Sequence, residues 1–439
     1  MKRYTLSDKE SLSDEAKERT IINTINLREE AKNQIRDLSY LIDTNLSLER
    51  SANNRAENSD VEYLLAFSHW LMLLQDCSDQ AHYKLFDAQI EIEDDYRVST
   101  KYPNDKSDYA NSQNRRIYNC KDYVPQINNE EYWINQALNA FYNDTKVPLA
   151  AIIGLCSNYL ASEFHYTFTH ESEPDVFEIN KDDLISDLES ILLDKNQIND
   201  YVKALDYLTI DTSKIKIIGD ANFPFVPVWE REKRDQRFDV RPIVANENRL
   251  IFSPAVMHEL ATMWEVGLQE FYPPYEINLN NFTSVLKQWK TECETQMETD
   301  IEHLCKNVGY ITYKNLKLNK VNKKHPSNLG DYDVVAIDTT RKLVWNLESK
   351  FLIKVGSIKE YANHQNSFFI SNKKDEKFAR RIAYLSTNLV EILNSLGIDD
   401  ANQYTMKSYM VTNKVFSSFY KKIDFDILTF SELKALLSE

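Results

Sequence analysis

Gly330-Asp331-Tyr332-Asp333-Val334-Val335-Ala336-Ile337, followed by Leu343-Val344-Trp345-Asn346-Leu347-Glu348-Ser349-Lys350-Phe351, is the stretch on which the fold turns. Two apolar runs rich in strand-forming residues flank a short polar segment, Asp338-Thr339-Thr340-Arg341-Lys342, which suits a hairpin turn. With the turn centred between Thr340 and Arg341, Asp333 faces Glu348 across the pair. Directly opposed residues of an antiparallel pair stand about 4.5–5.5 Å apart at Cβ and point to one face. Glu348 and Lys350 are two positions apart, so the pleat places them on that face together. Two facing carboxylates repel unless a cation lies between them. A divalent metal is the economical cation.

The flanking sequence extends this reading. Apolar residues at helical spacing predict a long helix from about residue 280 to Val308, which Gly309 ends as a left-handed C-terminal residue. A strand over 310–318, a basic loop with Lys320, Lys323 and Lys324, and Pro326 lead into the hairpin. Downstream follow a helical stretch over about 358–395, strands over 408–412 and 425–430, and a closing helix with Ser431 as its N-cap. The order is helix, strand, strand, strand, helix, strand, with acids on the second and third strands.

That arrangement resembles the core of the PD-(D/E)xK, or restriction-endonuclease-like, nuclease superfamily over residues 281–439. Asp333, Glu348 and Lys350 carry the resemblance, with an acid on the preceding helix. Glu298, 11 positions before Gly309, is the first choice for that acid; Glu294, Asp300 and Glu302 are the alternatives. The proline of the family's name is absent, since Tyr332 precedes Asp333. The resemblance implies an α/β nuclease core, a mixed central sheet flanked by helices, that hydrolyses DNA phosphodiester bonds as an Mg2+-dependent endonuclease, with Mn2+ able to substitute. In that scheme Asp333, Glu348 and the Ser349 carbonyl hold the metal. Lys350 orients or helps deprotonate the attacking water and stabilises the anionic transition state, and Glu298 holds a second metal or a water network. Lys373, Lys374, Lys377, Arg380 and Arg381 would track phosphates, and Gln365 would contact the scissile region. The resemblance also implies a homo-oligomer, and by analogy a bacterial effector of anti-phage defence or restriction. An RNA nuclease, or a scaffold built on an inactive nuclease fold, are the alternatives it leaves open.

A length of 439 residues predicts two or three domains. The texture divides the chain into a helical, partly disordered lead-in (1–60), a mainly α-helical acidic domain of unassigned role (61–280) and the part just described (281–439). The strongest helical block lies within 61–86, helical patterns return at 129–166, 181–208 and 254–271, and 215–218 and 223–229 look extended. The net charge of −16 is unevenly spread: residues 281–439 carry 23 Lys+Arg against 19 Asp+Glu, whereas 1–280 carry 29 against 49. Only the C-terminal part can meet a polyanion without strong long-range repulsion, and the acidic remainder suits an accessory protein.

Other classes are excluded or weak. The 7 glycines include no pair closer than the 21 positions between Gly309 and Gly330, so neither a P-loop nor a dinucleotide fingerprint exists. The 5 cysteines (Cys77, Cys120, Cys156, Cys293, Cys305) lack zinc spacing and read as reduced, buried thiols. No apolar run is long enough to span a bilayer and the N-terminus is polar at once, which predicts a cytoplasmic protein without a membrane partner. His165, His170 and Glu171, and His258-Glu259, match no metal motif. Arg231, Arg234, Arg237 and Arg241 read as a solvated face, and Trp229, Trp264 and Trp289 as core.

Overall fold

The computed structural model describes residues 122–161, 176–192, 194–211, 237–273, 277, 279–353, 358–416 and 423–438, with scattered positions between 42 and 101. The lead-in apart from Ile42, the extended stretches at 215–218 and 223–229, and residues His165, His170, Glu171, Trp229, Arg231 and Arg234 lie outside the described residues. The described positions between 63 and 82 are helical. The chain forms two units, one of 1–75, 146–265 and 274–278, the other of 76–145, 266–273 and 279–439.

In the second unit, the helix Asn280–Asn307 (α1) buries Phe282, Leu286, Trp289, Cys293, Met297, Ile301 and Cys305. Their spacing of three and four positions makes one apolar stripe along the helix. Asp144 caps its start, its carboxylate accepting from the Phe282 N–H at 3.0 Å. Gly309 ends it with φ +86°, and the Tyr310 N–H donates back to the Cys305 carbonyl at 3.1 Å. Only a residue tolerant of positive φ closes a helix in this way.

Strands Ile311–Leu316 (β1), Tyr332–Asp338 (β2) and Leu343–Lys350 (β3) form an antiparallel meander. Helices Ile358–Asn366 (α2), Lys374–Thr387 (α3) and Leu389–Ser395 (α4) then cross over to Thr405–Thr412 (β4), which pairs parallel with β3. Asp426–Thr429 (β5) pairs parallel with β4, and Phe430–Ser438 (α5) closes the chain. The sheet order is β5-β4-β3-β2-β1. Buried on both faces, β2 and β3 are near-continuous apolar runs, as central strands must be. One face carries Val335, Ile337 and Val344 into an apolar layer with Leu385, Leu389 and Ile392 of α3 and α4.

Three local details differ from the sequence expectations. The helical stretch over 358–395 is broken at Lys373, which is left-handed with φ +48°, and again at Asn388. The basic loop contains a short helix, Leu318–Val321. The closing helix is capped by Thr429 rather than Ser431: its hydroxyl accepts from the Glu432 N–H at 3.3 Å while the Glu432 carboxylate accepts from the Thr429 N–H at 2.7 Å. That is a reciprocal capping box, and it outcompetes a lone serine cap.

The helix Glu130–Thr145 belongs to this unit and packs on α1, with Phe141 edge-on to Phe282. The Asp122 and Tyr123 N–H groups donate to the Asn413 carbonyl just beyond β4.

The other unit holds helices Lys181–Ile191 and Lys195–Leu208, capped by Asn180 and Asp194. It is not purely helical: Phe177–Asn180, Arg249–Phe252, Ile243–Asn246 and Thr209–Ile210 form a mixed four-stranded sheet in that order. Strands of two to four residues are too short for a period-2 pattern to stand out against the surrounding helices. Among the described residues no helix is long and apolar enough to cross a membrane.

Candidate active site

The β2–β3 register is the one the turn predicts, with Val334 opposite Leu347 and Asp338 opposite Leu343. One step beyond Val334 and Leu347, at the open end of the hairpin, stand Asp333 and Glu348. The β1–β2 ladder is also interrupted there, where Asn315 takes φ +51° between the pairs Lys314–Val334 and Leu316–Tyr332. Asp333 is therefore released from regular pairing on both sides. Its Oδ2 instead accepts the Ser349 N–H at 2.9 Å. On the other side β3 stays fully paired to β4 as far as Lys350 and Thr412, which makes it the rigid member of the site.

Lys350 draws the site together. Its Nζ lies 2.6 Å from Glu348 Oε1, 2.7 Å from the Ser349 carbonyl oxygen and 3.6 Å from Asp333 Oδ2. Burial pushes the Asp333 carboxyl above its ordinary value; Lys350 and Arg381 oppose this, and Glu348 adds to it. Burial alone would lower Lys350, but Glu348 and Asp333 outweigh it and hold the ammonium above its ordinary value.

On α1, the Glu298 carboxyl feels Asp333. Burial first, and Asp333 second, raise it to about 7, with Lys314 and Lys350 pulling it back. The alternatives have other partners. Glu294 pairs with Lys290 at 2.5 Å, Glu302 with Lys306 at 2.7 Å, and Asp300 accepts from Gln296 at 2.8 Å and from the Tyr123 hydroxyl.

The basic residues of α3 divide by helical face. Lys373, Lys377 and Arg380 are exposed. Lys374 is turned inward, where burial and then Lys350 and Lys290 lower its pKa. Arg381 does not lie on the exposed face: its side chain is 11% exposed and its Nη2 meets Glu348 Oε2 at 2.5 Å. Gln365 of α2 is fully buried, its amide donating to the Tyr361 hydroxyl at 3.2 Å. The sequence pattern placed Arg381 with the phosphate patch, whereas the structure places it against Glu348. The signal that separates it is its place on the buried stripe of α3, three after Phe378 and four before Leu385.

The donor set fits a hard divalent cation. Two carboxylates and a backbone carbonyl converge on one point, and the Lys350 ammonium stands there as a cation already. Among the described residues there is no group of three or more His, Cys, Asp or Glu side chains placed to hold an ion, so such a set would be completed by the Ser349 carbonyl and water. No protein family, curated protein or solved structure is matched by the chain.

Proposed function

We propose that the C-terminal part of the chain is a nuclease core of the PD-(D/E)xK kind, and that the protein is a metal-dependent endonuclease acting on DNA. The observation that carries this reading is the convergence of Asp333, Glu348, the Ser349 carbonyl and Lys350 at the open end of one hairpin. The α–β–β–β–α–β order of α1 through β4, with the parallel β3–β4 pair behind the site, supports it.

Asp333 and Glu348 with the Ser349 carbonyl would hold Mg2+, or Mn2+ in its place. When bound, such an ion supplies a water of lowered pKa and offsets the charge that builds on the phosphorane. Lys350 would orient or help deprotonate the attacking water and stabilise the anionic transition state. Glu298, whose carboxyl burial and Asp333 raise to about 7, would hold a second metal or a water network beside Asp333. The exposed Lys373, Lys377 and Arg380 would track the backbone of the duplex.

A bacterial anti-phage or restriction role, and an accessory protein bound by the acidic segments, remain part of this proposal by analogy and by charge. Plasmid cleavage in Mg2+, Mn2+ or EDTA, with a single-stranded RNA of matched length beside it, tests the activity and the substrate. Metal-dependent cutting of DNA and not RNA is the expected result. Cutting of RNA alone would reassign the substrate, and no cutting of either would leave the fold without the activity.

A further inference from the structure

We propose that Arg381 is a positioning residue of this site: from α3 it fixes Glu348 so that one carboxylate oxygen, Oε1, faces Lys350 and Asp333 while the other is held away. What the oxygen is presented to rests on the nuclease reading above; the role of Arg381 rests on its contacts. Nη2 pairs with Glu348 Oε2 at 2.5 Å, and Nη1 donates to the Asp331 carbonyl at 2.7 Å. The guanidinium therefore ties the acid of β3 to the chain entering β2, two residues before Asp333. A backbone contact completes the clasp, the Tyr332 hydroxyl donating to the Arg381 carbonyl at 3.1 Å.

Three observations separate this role from phosphate tracking. Both members of the pair are largely enclosed, at 11% and 5% side-chain exposure. The Arg381 charge is already matched by Glu348, whereas Arg380 beside it is exposed and donates to the Asn328 carbonyl at 3.0 Å. The geometry also needs a fork: a planar guanidinium reaches a carboxylate and a carbonyl together, and an ammonium is a point charge that cannot reproduce that shape. A carboxylate whose second oxygen is occupied offers a cation one defined ligand atom, as outer partners of metal ligands commonly arrange.

The test uses the full-length protein carrying Arg381→Gln, Arg381→Lys, Arg380→Gln, Glu348→Gln or the pair Arg381→Gln/Glu348→Gln. Mn2+ binding is read by calorimetry, plasmid cleavage by kcat and KM, and folding by the thermal midpoint. Arg381→Gln should weaken Mn2+ binding and lower kcat, each about 10- to 100-fold, with KM for DNA and the salt dependence of binding unchanged. Arg381→Lys should recover part of both losses. Arg380→Gln should do the reverse, raising KM and shallowing the salt slope by about one. Arg381→Gln should melt below wild type, and the same change made on Glu348→Gln should lower the midpoint by less, because the Arg381–Glu348 pair is already gone while Lys350 is present in both backgrounds.

An Arg381→Gln protein that binds Mn2+ and turns over normally but shows a higher KM and a shallower salt slope would overturn the proposal. So would an Arg381→Gln change that lowers the midpoint as much on Glu348→Gln as on wild type. Wild-type protein that neither binds Mn2+ nor cuts DNA would sink the nuclease reading instead. The melting comparison would then still decide whether Arg381 holds Glu348.

Discussion

Lys350 and Glu298 carry opposite consequences of the same crowding. The Lys350 ammonium shares Glu348 Oε1 and the Ser349 carbonyl with any cation that would enter, so it competes for those atoms. Lys350→Met should therefore lower cleavage by about 100-fold or more while Mn2+ binding, measured by calorimetry, becomes tighter. Weaker Mn2+ binding in that variant would show that Lys350 helps to build the metal site. Glu298 sits above its ordinary value of 4.5, at about 7, facing Asp333 and Glu294 as well as Lys314 and Lys350. A carboxyl raised by folding stabilises fully below the unfolded value, and that contribution is lost as pH climbs through the folded one. The metal-free protein should lose thermal stability between about pH 4.5 and 7, and Glu298→Gln should flatten that slope in a melting series. An unchanged slope would show that Glu298 does not carry the titration. Asp333, Glu348 and Lys350 were legible from the sequence because strand pairing fixes which residues face each other. Arg381 was not, because α3 presents basic residues on two faces and the exposed one dominates the count.

At the scale of elements, single residues set where helices stop and start. Gly309 has φ +86° with nothing within 4 Å of where a Cβ would stand, so substitution there tests backbone strain alone. Gly309→Ala should destabilise the protein by about 1–2 kcal/mol, read as a lower midpoint in denaturant, and an unchanged midpoint would mean that the turn relaxes. Thr429→Ala should cost about 1 kcal/mol, whereas Ser431→Ala should be near neutral, since the capping hydroxyl is that of Thr429. The hairpin and α1 were readable because each has a long periodic run and a glycine marking its approach or end. The break at Lys373 was not, because a lysine at φ +48° is a local exception that no composition rule flags. The four-stranded sheet of the other unit escaped for the opposite reason, its strands being too short to display a period. Even so, Asn246-Glu247-Asn248 between two apolar runs is a turn signal, and Glu247 takes φ +53° there.

Across the whole molecule, charge and chain path tell different stories. Basic residues concentrate in 281–439 and acidic ones before it, and that division was visible in the sequence. The path of the chain was not: Glu130–Thr145 groups with the site-bearing unit through contacts such as Asp144 with Asn281 and Phe282, hundreds of ångströms of possible chain path collapsed to one cap. Side chains that meet across more than a hundred residues leave no periodic trace in either segment. If the exposed face of α3 meets duplex DNA, replacing Lys373, Lys377 and Arg380 by alanine should weaken binding at every sequence tested and reduce the salt slope by about one per residue. The central claim, that the end of the β2–β3 hairpin cuts phosphodiester bonds, is tested most directly by plasmid cleavage with Mg2+, Mn2+ or EDTA beside Asp333→Ala and Lys350→Ala. Wild type should cut only when metal is present, and both variants should lose the cutting. Cutting that survives in both, or that persists in EDTA, would contradict it.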